Sequence, residues 1–131
     1  MVIDTSAIVA VMRSEPDAED FIASIDGQAD CRMSAGTYVE LGVVIDSGSD
    51  PLGSVKLDLM LGTEDIRIEP FTGNQARIAR TAYKSFGKGS GHPARLNFGD
   101  CFSYALAMEL GHPLLFKGGD FAQTDVVPAL A

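Results

Sequence analysis

Four short segments with the character of strands punctuate this chain, at residues 1–3, 31–34, 66–70 and 113–116, and longer segments with helical spacing separate them. Strands that short, joined by segments long enough to cross a sheet, predict parallel pairing rather than hairpins. The first helix is expected to follow at once, with Asp4, Thr5 or Ser6 as its cap. Residues 16–24 form a second, with Ala18, Phe21, Ile22 and Ile25 on one face, and Gly27 ends it. Residues 35–45 are strongly apolar and helical. Leu52, Val55 and Leu59 mark a further helix before Gly62, residues 72–86 another, and residues 98–110 a last one ended by Gly111. Residues 87–96 read as a loop, and Val126 and Val127 as a final short strand. The expected fold class is α/β: three layers, a central, mostly parallel sheet flanked by helices, in a single domain spanning residues 1–131.

Composition narrows the class further. A hydrophobic content of 46% supports a real core and argues against disorder. No run of about 18 apolar residues is present, so no membrane helix is expected. The start, Met-Val-Ile-Asp, has no basic leader, and a cytoplasmic location is expected. Cys31 and Cys101 lack metal-site spacing and read as small buried hydrophobes. His92 and His112 each precede a proline and read as loop residues.

Four acids stand where the chain passes from one element to the next: Asp4, Glu40, Asp100 and Asp120. Asp4 follows an apolar run, and Glu40 is the only charge between Met33 and Ile45. Asp100 opens a helix, and Asp120 closes Leu-Leu-Phe-Lys-Gly-Gly-Asp. Taken singly, Asp4 and Asp100 serve as helix caps and Asp120 fixes a turn. Taken together, all four fall at one predicted end of the sheet, where sites in such folds lie. Two like charges at about 4 Å repel by roughly 4 kcal/mol at an effective dielectric near 20. A hard divalent cation, Mg²⁺ or Mn²⁺, removes that penalty and can activate a water for phosphodiester hydrolysis. No phosphate-binding lysine loop and no Ser-His-Asp set is present.

The net charge of −8 opposes a nucleic-acid partner. Its distribution does not: no acid lies between Glu69 and Asp100, and that interval holds Arg77, Arg80, Lys84, Lys88 and Arg95. At about 100° per residue, the first three and Lys88, if the turn continues, share one stripe of the helix opposite Ala79, Ala82, Tyr83 and Phe86. That stripe is either a solvated face or a place for RNA phosphates.

The segments Val-Ile-Asp-Thr-Ser-Ala, the isolated Glu40, Leu-Asn-Phe-Gly-Asp-Cys-Phe-Ser-Tyr-Ala and Leu-Leu-Phe-Lys-Gly-Gly-Asp-Phe-Ala-Gln-Thr-Asp resemble the PIN-domain ribonucleases. The resemblance runs over the whole chain and points to the VapC toxins of toxin–antitoxin pairs. It implies a PIN-like fold and an Mg²⁺- or Mn²⁺-dependent endoribonuclease acting on transfer or ribosomal RNA. It matches Asp4, Glu40 and Asp100 to the core acids and Asp120 to a more variable fourth. Ser6 and Thr124 match supporting hydroxyls, and Asp125 supplements or replaces Asp120. It also implies a homodimer, a small cognate antitoxin and a larger complex of the two. Segments 16–25 and 52–61 are candidate contact helices, or simply core. Two other readings stand beside it. One is a catalytically silent partner of a DNA-binding antitoxin. The other is a phosphoryl-transfer enzyme or receiver, which the single acid after the first strand disfavours.

Overall fold

The computed structural model describes residues 1–130. Its sheet has four strands: β1 (Val2–Ile3), β2 (Arg32–Ser34), β3 (Arg67–Glu69) and β4 (Leu114–Leu115). Their order is β3-β2-β1-β4, and every pairing is parallel. Val2 lies opposite Arg32 on one side and Leu114 on the other.

Alternation along each strand makes the layers. Ile3, Met33 and Leu115 face one core, with Ile8, Phe21, Leu41, Ile45, Leu57 and Leu61. These come from α1 (Thr5–Met12), α2 (Ala18–Asp26), α3 (Ala35–Asp46) and α4 (Gly53–Thr63). Val2 and Leu114 face the opposite core, with Ala82, Tyr104, Leu106 and Ala107. Those come from α5 (Gly73–Phe86) and α6 (Asp100–Leu110). A three-layer α/β architecture results, as the sequence predicts.

Several helix starts follow from local chemistry. The Asp4 carboxylate accepts the Ser6 amide at 3.0 Å and caps α1. Ser34 and Thr72 do the same for α3 and α5. Gly111, at φ 65°, ends α6 in the left-handed region.

Four sequence expectations are corrected. Helix α2 begins at Ala18, not residue 16, and runs on to Asp26. Helix α6 begins at Asp100, because Asn97 and Asp100 tie the preceding turn together. Val126 and Val127 form no strand; a single bridge joins Leu114 to Pro128. On α5, Tyr83 is exposed at 42%, while Gln75 is buried at 2%. Gln75 reaches the Pro70 carbonyl and the Glu109 carboxylate, which satisfies its amide nitrogen inside the core.

The chain runs outward from β1 through β2 to β3, then returns to the other side of β1 as β4. The sheet therefore changes winding direction between β1 and β4. In open α/β sheets a crevice forms at that point, beyond the carboxyl ends of the strands.

Candidate functional site

Asp4 leaves β1 at this switch point and is 2% exposed. Its backbone N–H donates to the Leu115 carbonyl of β4 at 3.0 Å, so the position is pinned by the sheet. Oδ2 accepts the Ser6 hydroxyl at 2.6 Å as well as the Ser6 amide. Oδ1 accepts the Ser103 hydroxyl of α6 at 2.6 Å. Ser103 in turn contacts the Thr37 hydroxyl of α3 at 3.0 Å. One buried carboxylate thus connects the start of α1 with α6 and, through Ser103, with α3.

Glu40 lies one turn beyond Thr37 on α3. Its Oε1 accepts the Thr5 hydroxyl at 2.6 Å. Burial raises its pKa, the Thr5 hydroxyl opposes this, and the charge on Asp4 adds to it. Its carboxylate lies against the backbone of Gly99, where any Cβ would overlap it. Glycine at this position is therefore a steric requirement of the site.

Asp100 opens α6 and is partly buried. Its Oδ2 accepts the Asn97 amide at 2.9 Å, and Asn97 Oδ1 accepts the Asp100 amide at 2.8 Å. Burial pushes its carboxyl up to about 7; the Asn97 amide opposes this, and the charges of Asp4, Glu40 and Asp120 push the same way as burial. Asp120, exposed after β4, is thereby within electrostatic reach of Asp100. Among the described residues, no lysine or arginine is paired with any of these four acids.

The remaining predicted positions divide. Ser6 belongs to the cluster: its hydroxyl also accepts the Lys117 amide at 2.9 Å, tying the turn after β4 to α1. Thr124 is occupied by its own turn, donating to the Phe121 carbonyl at 2.7 Å. Asp125 lies elsewhere: it accepts the Tyr104 hydroxyl at 2.6 Å, beside Arg77 and Phe86 of α5. Asp120, not Asp125, acts on Asp100.

Thr5, Ser103, Asn97 and Gly99 complete the cluster; they fall within the motif segments of the sequence but are not among the predicted site residues. Asn97 had a visible signal, an amide side chain three residues before a helix-opening acid. Ser103 and Thr5 had none, since a hydroxyl within a helix acquires its partner only from tertiary packing.

The chemistry of this donor set suits a hard cation: carboxylates with no basic partner, two of which, Glu40 and Asp100, have raised proton affinity. Among the described residues, no group of three or more His, Cys, Asp or Glu side chains is placed so that it could hold a metal ion. Hydroxyl and amide donors make five contacts to the carboxylates of Asp4, Glu40 and Asp100. A hydrated Mg²⁺ needs only one or two direct carboxylates and keeps its waters. One or two of these carboxylates would suffice for such an ion.

The five basic residues are all exposed and, among the described residues, in no ion pair. Arg77, Arg80 and Lys84 line one shallow depression on α5. Lys88 lies past the end of α5, in the loop, rather than on the helix stripe. It is held there by its amide to the Leu96 carbonyl at 2.9 Å, next to Arg95.

Residues 1–127 match the profile of the PIN domain. The chain belongs to the PIN-domain family. Ribonuclease VapC28 of Mycobacterium tuberculosis is 50% identical over 130 residues, covering 99% of this chain and 98% of that protein. This places the chain among the VapC ribonucleases. The fold matches the crystal structure of M. tuberculosis VapC20, a sarcin–ricin-loop-cleaving toxin, with TM-score 0.76, 16% identity and coverage of 96% and 95%. It also matches a toxin–antitoxin complex from Klebsiella pneumoniae, with TM-score 0.72, 16% identity and coverage of 96% and 93%. No described helix is long and apolar enough to cross a membrane.

Proposed function

We propose that this PIN domain is an endoribonuclease toxin whose activity requires Mg²⁺ or Mn²⁺. The observation that carries the reading is the acidic cluster at the sheet's switch point, which has no lysine or arginine paired with it among the described residues; burial, and then the charges of Asp4, Glu40 and Asp120, raise the proton affinity of Asp100. Near-full-length similarity to a VapC ribonuclease supports the same reaction class.

Asp4, Glu40, Asp100 and Asp120 would hold the cation, which supplies a water of lowered pKa and neutralises charge on the phosphate. The chain's own residues prepare that site. Ser6 and Ser103 hold both oxygens of Asp4, so its orientation survives burial. Thr5 fixes Glu40 against Gly99. Asn97 fixes the oxygen of Asp100 that faces the turn. Arg77, Arg80, Lys84, Lys88 and Arg95 hold neighbouring phosphates of a transfer or ribosomal RNA.

The partner is a cognate antitoxin that covers the acids with a cationic side chain, and the toxin works in the cytoplasm as a homodimer within a larger complex. The structural likeness to a toxin–antitoxin complex supports the antitoxin. Exposed Leu52, Val55 and Leu59 on and beside α4 supply an apolar contact face, whereas α2 buries Ala18, Phe21 and Ile25 in the core and leaves Ile22 exposed.

The test is cleavage of total RNA by purified protein. Asp100→Asn should abolish it while the circular dichroism spectrum is retained, and excess chelator should abolish it reversibly. Cleavage that survives both treatments removes the proposal. A second reading, a silent partner that acts only through a DNA-binding antitoxin, draws on the net charge of −8 and the exposed Val39 and Val43 of α3. It requires that Asp100→Asn leave any growth effect unchanged.

A further inference from the structure

Phe98 is 78% exposed, the most exposed of the large hydrophobic residues described. It lies between Asn97 and Gly99, which position Asp100 and Glu40. It is not a loose side chain: its ring meets Phe102 edge-on at 5.0 Å, and Phe102 meets Phe71 edge-on at 4.7 Å. Phe102 is itself locked, since its ring packs onto Gly36 of α3, where a Cβ would overlap it. Phe98 therefore forms the outer wall of an open groove of about 330 Å³, lined also by Phe71, Ala79, Arg80, Tyr83 and Phe102. Arg80 and Tyr83 are shared with the basic depression of Arg77 and Lys84.

Resting on the ribonuclease reading, we propose that this groove is a nucleobase subsite, in which Phe98 stacks on an unpaired base of the RNA next to the cleaved phosphate. The groove offers an aromatic face and apolar floor for the base and an unpaired guanidinium at its rim for the adjoining phosphate. Charge favours a nucleotide over an apolar helix, because the segment from Glu69 to Asp100 that builds the groove carries bases and no acid between its ends. Position favours it as well. Phe98 and Asp100 are two residues apart, about 7 Å of chain at most. That is about two nucleotides of a stacked strand. Substrates that present unpaired bases at the cut, as in a loop, would be selected over duplex.

The chain contains no tryptophan, so Phe98→Trp places a single fluorophore in the groove. In an Asp100→Asn background, a short single-stranded RNA should quench it saturably. The same RNA made abasic throughout should bind weakly, without quenching. Phe98→Leu keeps an apolar side chain but has no ring, and it should weaken binding of the intact RNA by roughly 5- to 150-fold. Phe98→Tyr should restore binding. Equal binding by Phe98→Leu overturns the subsite, as does equal quenching by abasic RNA. Quenching that depends only on protein concentration would assign the groove to a second copy. Quenching by the antitoxin with none by RNA would assign it to that partner. Either result overturns the proposal. Wild-type cleavage of RNA, measured in parallel, separates failure of the subsite from failure of the ribonuclease reading.

Discussion

Replacing Asp100 with asparagine should stabilise the metal-free protein at alkaline pH. An unfolded aspartate ionises near about 3.9. In the fold the same carboxyl is pushed up to about 7 by burial and by Asp4, Glu40 and Asp120. Between those values the folded state keeps a proton that the unfolded state has lost. The stability contributed by this group is fully present below the lower value and is lost as pH rises through the upper one. The gap corresponds to at most about 4 kcal/mol. Asp100 is only partly buried, and solvent screening reduces the figure to about 1–2 kcal/mol. Asparagine removes the charge and retains an oxygen for the Asn97 amide. In chelator at about pH 8, Asp100→Asn should melt about 3–10 °C above wild type. At about pH 5 the two should nearly coincide. Added Mg²⁺ should raise the melting temperature of wild type at the alkaline pH and leave the variant almost unmoved. Thermal denaturation followed by circular dichroism reads all three comparisons. A wild-type curve flat across that range in chelator, with the variant no more stable at alkaline pH, refutes the electrostatic argument.

Gly99→Ala should displace the Glu40 carboxylate and lower RNA cleavage at least tenfold, with a melting temperature close to wild type, since the end of a side chain and not the backbone must give way. Ser103→Ala removes the donor to Asp4 Oδ1 from the interior and should destabilise by about 1.5–3 kcal/mol in urea titration. Replacing Arg77, Arg80 and Lys84 together by glutamine should flatten the salt dependence of RNA binding by about 2 in log–log slope. Both thiols are buried; burial raises the Cys31 thiol and pushes Cys101 up to about 11. Iodoacetamide at neutral pH should therefore label neither until the protein unfolds, as mass spectrometry would show.

Element type was legible wherever local chemistry and period agreed. Thr72 before a strongly periodic segment announced α5, and Asp4 behind Val2 and Ile3 announced the passage from β1 to α1. What failed depended on partners far away in sequence. Residues 126–127 have the composition of a strand, but the one bridge to β4 in this segment is made by the next residue, Pro128, with Leu114. Gln75 is polar, yet Glu109 on α6 makes its burial tolerable. Tyr83 has the apolar spacing of a core residue, but it borders an open groove instead. In the site, the acids were visible because isolated charges among apolar residues are rare. The hydroxyls of Thr5 and Ser103 were not, because nothing in their own neighbourhoods distinguishes them from ordinary helix residues.

Asp4 combines two duties in a single side chain. It begins α1 and joins that helix to α6, and it also belongs to the acidic crevice. Loss-of-function alleles at the four acids should therefore sort into two kinds. Those altered at Asp100 or Asp120 would accumulate as intact, inert protein, still able to occupy an antitoxin. Those altered at Asp4 would be depleted by proteolysis, freeing the antitoxin. A selection for surviving cells would recover both, and immunoblotting would tell them apart.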